Sequence, residues 1–340
     1  MSVKLMTDNI ACIDVSDWKG DENQPFFAIG ARDKQMIWSP NIEHLQHDIL
    51  KPDWPYLFKQ SIQRYPDQYW TEIIASIVGY HLGLPVPKSF PAEQRQEDGK
   101  IISGCLMEWF YDPRKSKLDH ASSHFKQLIK DFDNNTGSQH NLAYLMVINK
   151  TVYNAVKVIS KENNTEYQHP DVIGWLIDMI AFDTLIGNTD RHQENWGFVI
   201  SGDGVSLSHL YDNGTSLGHE RFIHNIQNWD DNRLKRYIHR AKHHIKYDLG
   251  DNMKRIPHFE LLQELKSGEI IQFPKPIRLT MLKAIKLIIT AIDLPALLYD
   301  IRQLPRIECQ SPISQERIDW VERIIVMRYE LMKEQLDDVY

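Results

Sequence analysis

Two carboxylates and an amide, set around a short apolar hairpin, constrain this chain more than anything else in it. Asp190 and Asn195 stand five positions apart in Asp190-Arg191-His192-Gln193-Glu194-Asn195. Two β-prone runs follow at once, Trp196 to Ile200 and Val205 to Tyr211. Ser201-Gly202-Asp203-Gly204 lies between them, and a Gly-Asp-Gly turn flanked by such runs predicts a hairpin. Asp212 then opens the next loop as Tyr211-Asp212-Asn213-Gly214. A lone D-x-x-x-x-N arises by chance in most chains of this size, and Asp and Asn are natural turn residues. The order Asp, Asn, hairpin, Asp is the informative part.

Phosphoryl transfer needs a group to orient the attacking hydroxyl, oxygen ligands for Mg²⁺ and cations on the phosphates. The loop and the second Asp meet the first two needs, and the amino-terminal part of the chain offers the third. Phe26 to Ile29 and Gln35 to Trp38 flank Gly30-Ala31-Arg32-Asp33-Lys34, which suits strand, turn and strand. Tyr56-Leu57-Phe58-Lys59 is a short apolar strand ending on a lysine. Trp70, Ile73, Ile74, Ile77, Val78 and Leu82 recur at helical spacing, and Gly83 and Pro85 stop the helix. Glu72 falls in its first turn on this reading, placed to pair with Lys59 or to sit on the helix dipole. Ile101 to Trp109 is β-prone, and Glu108 to Phe110 ends it where an adenine-binding hinge belongs.

Asp112-Pro113 breaks the pattern, and beyond it the chain reads as helical: Asn141 to Val158, Val172 to Ile186, and Glu316 to Leu336 with a stripe of Ile318, Val321, Ile325, Met332 and Leu336. The expected fold is therefore α+β and two-lobed, of protein-kinase type. Residues 1–110 form a small β-rich lobe with one helix, and residues 111–340 a larger, mainly helical lobe. Arg233 to Lys246 (RLKRYIHRAKHHIK) is basic and helix-compatible. A solvated helix face is its ordinary reading, and docking of an acidic protein or RNA-associated substrate its functional one.

Composition excludes other classes. With 42 % hydrophobic and 25 % charged residues the chain is globular, and a net charge of −7 argues against direct nucleic-acid binding. The three cysteines are scattered without a CxxC pair, which fits a reducing compartment and speaks against a disulfide framework. The fifteen histidines form neither HExxH nor a zinc spacing. Neither a signal sequence nor a membrane span is expected, so the cytoplasm is the expected location.

The segment Ile186-Gly187-Asn188-Thr189-Asp190-Arg191-His192-Gln193-Glu194-Asn195-Trp196-Gly197-Phe198 closely resembles the catalytic loop of HipA-like serine/threonine kinases, whose best-known members are toxins of bacterial toxin–antitoxin pairs. Tyr211 to Gly218 resembles their metal-binding segment, Gly30 to Lys34 their phosphate loop, and Leu82-Gly83-Leu84-Pro85-Val86-Pro87 recurs after their first helix. The resemblance covers about residues 26 to 220. It implies ATP and Mg²⁺ (or Mn²⁺) as cofactors, with Asp190 as catalytic base or orienter, Asn195 and Asp212 as metal ligands, and Lys59 on the phosphates. Gly30, Ala31, Arg32, Lys34, Glu72, Glu108, Phe110 and His192 complete the implied nucleotide contacts. The implied acceptor is a protein such as an aminoacyl-tRNA synthetase or another translation factor, and the implied partner a small DNA-binding antitoxin. Known members carry a phosphorylated serine before the loop glycine. Phe26, Phe27, Ala28 and Ile29 stand there in this chain, which makes Thr215 and Ser216 the nearest alternative sites. A small-molecule or lipid kinase uses the same loop logic, and a pseudokinase would keep the fold without Lys59, Asp190, Asn195 and Asp212 all in place.

Overall fold

The computed structural model describes residues 10–21, 33–44, 47–247, 254–271 and 273–339. The chain divides into two compact units. The first comprises residues 1–112, 213–228 and 292–323, the second residues 113–212, 229–291 and 324–340.

In the first unit, β1 (Ile13–Asp14), β2 (Lys19–Gly20), β3 (Lys34–Trp38), β4 (Pro55–Gln60), β5 (Ser89–Arg95) and β6 (Ile101–Glu108) make a sheet in the order β1-β5-β6-β4-β3-β2. Only the β1–β5 pair among them is parallel. Ile13, Val15, Ile37, Tyr56, Phe58, Phe90, Ala92 and Leu106 bury one face of it. The expected strand at Phe26–Ile29 and the turn residues Gly30, Ala31 and Arg32 lie outside the described residues, whereas Lys34 opens β3 opposite Lys59.

Helix α1 (Gln68–Leu82) packs on β5 and β6 and ends on Gly83 in the left-handed conformation. It begins two residues before the first apolar position of the periodic pattern. Glu72 therefore lies beyond the first turn, which contains no acidic residue, and the helix-dipole explanation for it lapses.

Residues 213–228 and 292–323 complete this unit. Arg317, at the start of α10 (Gln315–Leu336), is buried and donates to Asp67 (3.2 Å) and to the carbonyls of Gly218 (3.4 Å) and Arg221 (2.8 Å). Asp300, on α9 (Leu294–Gln303), meets His81 of α1 at 2.7 Å.

The second unit is built on α4 (Val172–Ile186), which is buried on nearly every side. It packs against α7 (His258–Ser267) and α8 (Lys275–Thr290). Such a helix cannot be amphipathic, and its apolar run is what the sequence shows. Gly187 caps it with φ of 70°, and a Cβ there would come within 2.7 Å of the Arg328 guanidinium. Among the described residues, helices α2 (Ala121–Leu128), α3 (Leu142–Asn163) and α5 (Ile223–Ile226) are the other α-helices before residue 230; α5 belongs to the first unit.

The expected hairpin is present as β8 (Gly197–Ser201) and β9 (Gly204–Leu207), with β7 (Ser116–His120) added along β8. Its second strand ends at Leu207, short of Tyr211, which leaves 208–212 as an irregular run into Asp212.

The basic segment is not one helix. It divides into α6 (Asp231–Arg240) and β10 (Lys242–Tyr247), which pairs with β11 (Lys254–Pro257). The physical reason is backbone pairing supplied from afar. Ala241 turns extended and its carbonyl takes the His258 N–H (3.1 Å), while Lys246 N–H donates to His140 O (3.0 Å). The α6 face is solvated as expected, with only Leu234 and Ile238 buried.

Candidate active site

In the first unit Lys59 is the penultimate residue of β4. Its Nζ lies 2.6 Å from Glu72 Oε1, with both side chains about 1 % exposed. At that burial an ammonium requires a carboxylate, and each charge would be strongly destabilising alone. The other oxygen, Glu72 Oε2, accepts the Asn213 backbone N–H at 2.8 Å. One carboxylate thus holds both the β4 lysine and the residue that follows Asp212. Ser216 is buried and donates to Asn213 O (2.7 Å), so its hydroxyl closes the turn.

At the end of β6, Glu108 is buried and meets Lys51 at 2.5 Å. Its N–H donates to Lys88 O (2.8 Å). Phe110 lies against Trp109 in a tilted contact and against Tyr111 edge-on, with ring centroids at 4.8 and 5.4 Å.

In the second unit the loop after α4 is held by its own polar groups. Asn188 Oδ1 takes the Asp190 N–H (2.9 Å), Asp190 O takes the His192 N–H (2.8 Å), and His192 O takes the Asn195 N–H (2.8 Å). Asn195 Nδ2 donates to Asp190 O (2.7 Å), which fixes which end of that amide is oxygen. The D-x-x-x-x-N spacing is therefore the closure of one tight loop. His192 Nδ1 accepts the Glu194 N–H (3.1 Å).

Burial raises the Asp190 carboxyl above the ordinary aspartate range. His192, Arg255 and Arg191 pull it down, and the Asp212 carboxylate pushes it up. The Asp190 and Asp212 charges thus feel one another within this unit. Asp212 has φ of 57°, a left-handed conformation that Asp tolerates better than most residues.

Sequence reasoning missed two arginines. Arg191 is buried and donates to Asp183 through Nη2 (2.8 Å) and Nε (3.2 Å), while its Nη1 reaches the carbonyl of Tyr211, next to Asp212. Burial raises the Asp183 carboxyl despite Arg191 and Asn188. Burial also works against the guanidinium, yet the adjacent Asp183 leaves Arg191 above its usual value. Arg255, on β11, donates to the Thr189 and His243 carbonyls and lends its charge to Asp190. A signal for the first existed: Asp183 is an acid inside an otherwise apolar stretch of α4, and a buried acid requires a partner. Nothing local pointed to Arg255.

With this geometry in view, the profile of the HipA-like C-terminal domain matches residues 27–266, well over half the chain. The protein belongs to the HipA-like C-terminal domain family. Among solved structures, the Helicobacter pylori proinflammatory kinase CtkA is similar over 96 % of both chains, at 19 % identity and a TM-score of 0.68. The Shewanella oneidensis MR-1 toxin–antitoxin structure of HipA, with HipB and its operator DNA, is similar over 93 % of this chain and 67 % of that one (12 % identity, TM-score 0.47). The Golgi casein kinase is similar over 97 % and 74 % (14 % identity, TM-score 0.32). No curated protein sequence matches. The fold is α+β, two-lobed and kinase-like, and this HipA-like chain is a kinase-like protein. No helix among the described residues is long and apolar enough to cross a membrane.

Proposed function

We propose that this HipA-like protein is an ATP- and Mg²⁺-dependent phosphotransferase acting on serine or threonine hydroxyls of a protein. The observation that carries the reading is the buried Lys59–Glu72 pair whose second carboxylate oxygen holds Asn213. A buried lysine on a sheet strand and the loop after Asp212 share one anchor, the coupling a kinase needs between phosphate contact and metal contact.

The residues of this chain divide the work as follows. Asp190 accepts or orients the proton of the acceptor hydroxyl, and its raised affinity for protons suits that task. Asn195 Oδ1 and the Asp212 carboxylate are hard oxygen donors, which fit Mg²⁺ or Mn²⁺ and not zinc. Among the described residues no group of three or more His, Cys, Asp and Glu is arranged to hold a metal. Mg²⁺ is usually held by one or two protein oxygens and by substrate phosphates. When bound, the cation supplies charge neutralisation on the transferring phosphate. Arg191 holds the loop against the carbonyl of Tyr211, the residue before Asp212. Lys59 and Lys34, neighbours on adjacent strands, supply cations. Glu108 and Phe110 frame the adenine, and His192 supports the loop from which Asp190 acts. On this reading the unit that holds the six-stranded sheet acts as the nucleotide lobe, and the unit that holds α4 and the Asp190 loop as the catalytic lobe. Family membership extends the proposal to a translation component as acceptor and a small DNA-binding antitoxin as partner, in the cytoplasm.

The test is purified protein with γ-labelled ATP and Mg²⁺, first alone and then with a cell lysate. Phosphate on serine or threonine of a discrete band, absent with Asp190→Asn, supports the reading. Label in a small-molecule or lipid fraction moves the acceptor to the other class of kinase.

A further inference from the structure

Cys12 and Cys309 come from opposite ends of the sequence and meet in the first unit. Cys12 immediately precedes β1, whose Ile13 pairs with Ala92 and whose neighbour Val15 donates its N–H to Glu93 O (2.9 Å). Cys309 immediately precedes Gln310, whose N–H is held by the side chain of the same Glu93. Ser311 O takes the Trp70 indole N–H (3.0 Å) and the Tyr69 hydroxyl, which pins the carboxyl-terminal segment to α1. With both backbones anchored, the two thiols lie within hydrogen-bond reach of one another. Both cysteines are half-buried. Cys12, Ile307 and Glu308 line a cavity of about 510 Å³ that also includes Arg306 and Tyr299. Cys105, by contrast, is fully buried in β6.

We propose that Cys12 and Cys309 are a peroxide-oxidisable pair that closes to an intramolecular disulfide. The two sulfurs have unequal roles. The Cys309 thiol is lowered to about 7, chiefly by the hydrogen bond from Cys12, against the cost of burial and with help from the Ser311 backbone. Cys12 is pushed far up, first by that same hydrogen bond and then by burial. Cys309 is therefore the thiolate that attacks, and Cys12 the thiol that resolves.

In the first step the Cys309 sulfur attacks one oxygen of hydrogen peroxide. An S–O bond forms, the O–O bond breaks, and the departing hydroxide takes up the proton that Cys309 released on ionising, so that water forms, Cys309 is oxidised to the sulfenic acid and the peroxide is reduced. In the second, the Cys12 sulfur attacks Cys309, the S–S bond forms and the S–O bond breaks. The departing hydroxide takes the Cys12 proton as a second water. A two-residue edge strand would then be tied covalently to the segment leading into α10.

The test uses the full chain, reduced and desalted, then exposed to stoichiometric hydrogen peroxide. It is denatured in N-ethylmaleimide, digested without reductant and analysed by mass. The expected product joins the Cys12 and Cys309 peptides, is two hydrogens lighter than their sum and disappears on reduction, while Cys105 carries maleimide. In Cys12→Ser, Cys309 should accumulate as a sulfenic acid trapped by dimedone. In Cys309→Ser, Cys12 should stay unmodified at the same dose. Absence of the linked peptide from the wild-type digest overturns the proposal without reliance on any variant folding. So does a link to Cys105 or to a second chain, or oxidation of Cys12 in the Cys309→Ser protein.

Discussion

Arg191 meets both carboxylate oxygens of Asp183, at 2.8 and 3.2 Å, and neither side chain is more than about 1 % exposed. The pair joins the last turn of α4 to the loop that presents Asp190. Removing one partner leaves the other charge buried, so Asp183→Ala should cost about 3–5 kcal/mol of unfolding free energy. Denaturant titration of the variant measures it. A loss below about 1 kcal/mol, the value of a surface pair, would show that the loop does not depend on this bond.

Glu72→Gln retains an acceptor for the Asn213 N–H and removes the charge opposite Lys59. A hydrogen bond to a charged group contributes about 1.5–3 kcal/mol, which corresponds to about 10–100-fold in rate if spent on catalysis. Steady-state kinetics should show kcat/KM for ATP falling by that factor. Unchanged kinetics would separate the pair from nucleotide use.

Asp190→Asn keeps the loop shape, because the carbonyl that receives His192 and Asn195 belongs to the backbone. Phosphotransfer should fall about 10²–10⁴-fold, the usual contribution of positioned acid–base help. The unfolding midpoint should hold or rise, since burial already opposes the charge on this carboxyl. Turnover above about a tenth of wild type, outside that range, removes Asp190 from the chemistry.

Asp212→Ala tests the metal. ATP should raise the melting temperature of the wild-type protein far more with Mg²⁺ than with EDTA, because a ligand that binds only the folded state stabilises it by mass action. The variant should show equal shifts in both buffers. A persisting difference would move the cation elsewhere.

Asp178, on α4, provides a pH test outside the site. Burial, and next the charge of Asp171, raise it from 3.8 to about 6. The folded protein therefore holds a proton that the unfolded chain releases, so stability falls as pH rises between these two values. Asp178→Asn should be more stable than wild type near neutral pH and equal to it below about pH 3, where the side chain is uncharged in both states. Unfolding curves across that range give the difference directly, and a constant offset would assign it to packing alone.

Much of the fold was legible because its signals are local. The end of α1 is written in Gly83 and Pro85, the hairpin in Gly202-Asp203-Gly204, and the loop closure in the spacing of Asp190 and Asn195. Each is decided by atoms within a few residues along the chain, so residue order alone determines it. The Lys59–Glu72 bond was also within reach, since a lysine at a strand end and an acid on the next helix are both visible in the sequence.

What lay beyond the sequence was every feature whose partner comes from far along the chain. The basic run reads as one helix until β11 offers β10 a strand to pair with, and the energy of that ladder outweighs local propensity. Residues 213–228 and 292–323 join the first unit because Glu72 captures Asn213 and Arg317 captures Gly218 and Arg221. The scattered cysteines give no hint of a pair until Glu93 draws Val15 and Gln310 to one place. Order along the chain thus determined the local turns, caps and loops. Tertiary structure decided which distant groups share a buried charge, a backbone ladder or a proton, because burial makes an unpartnered polar group too costly to leave alone.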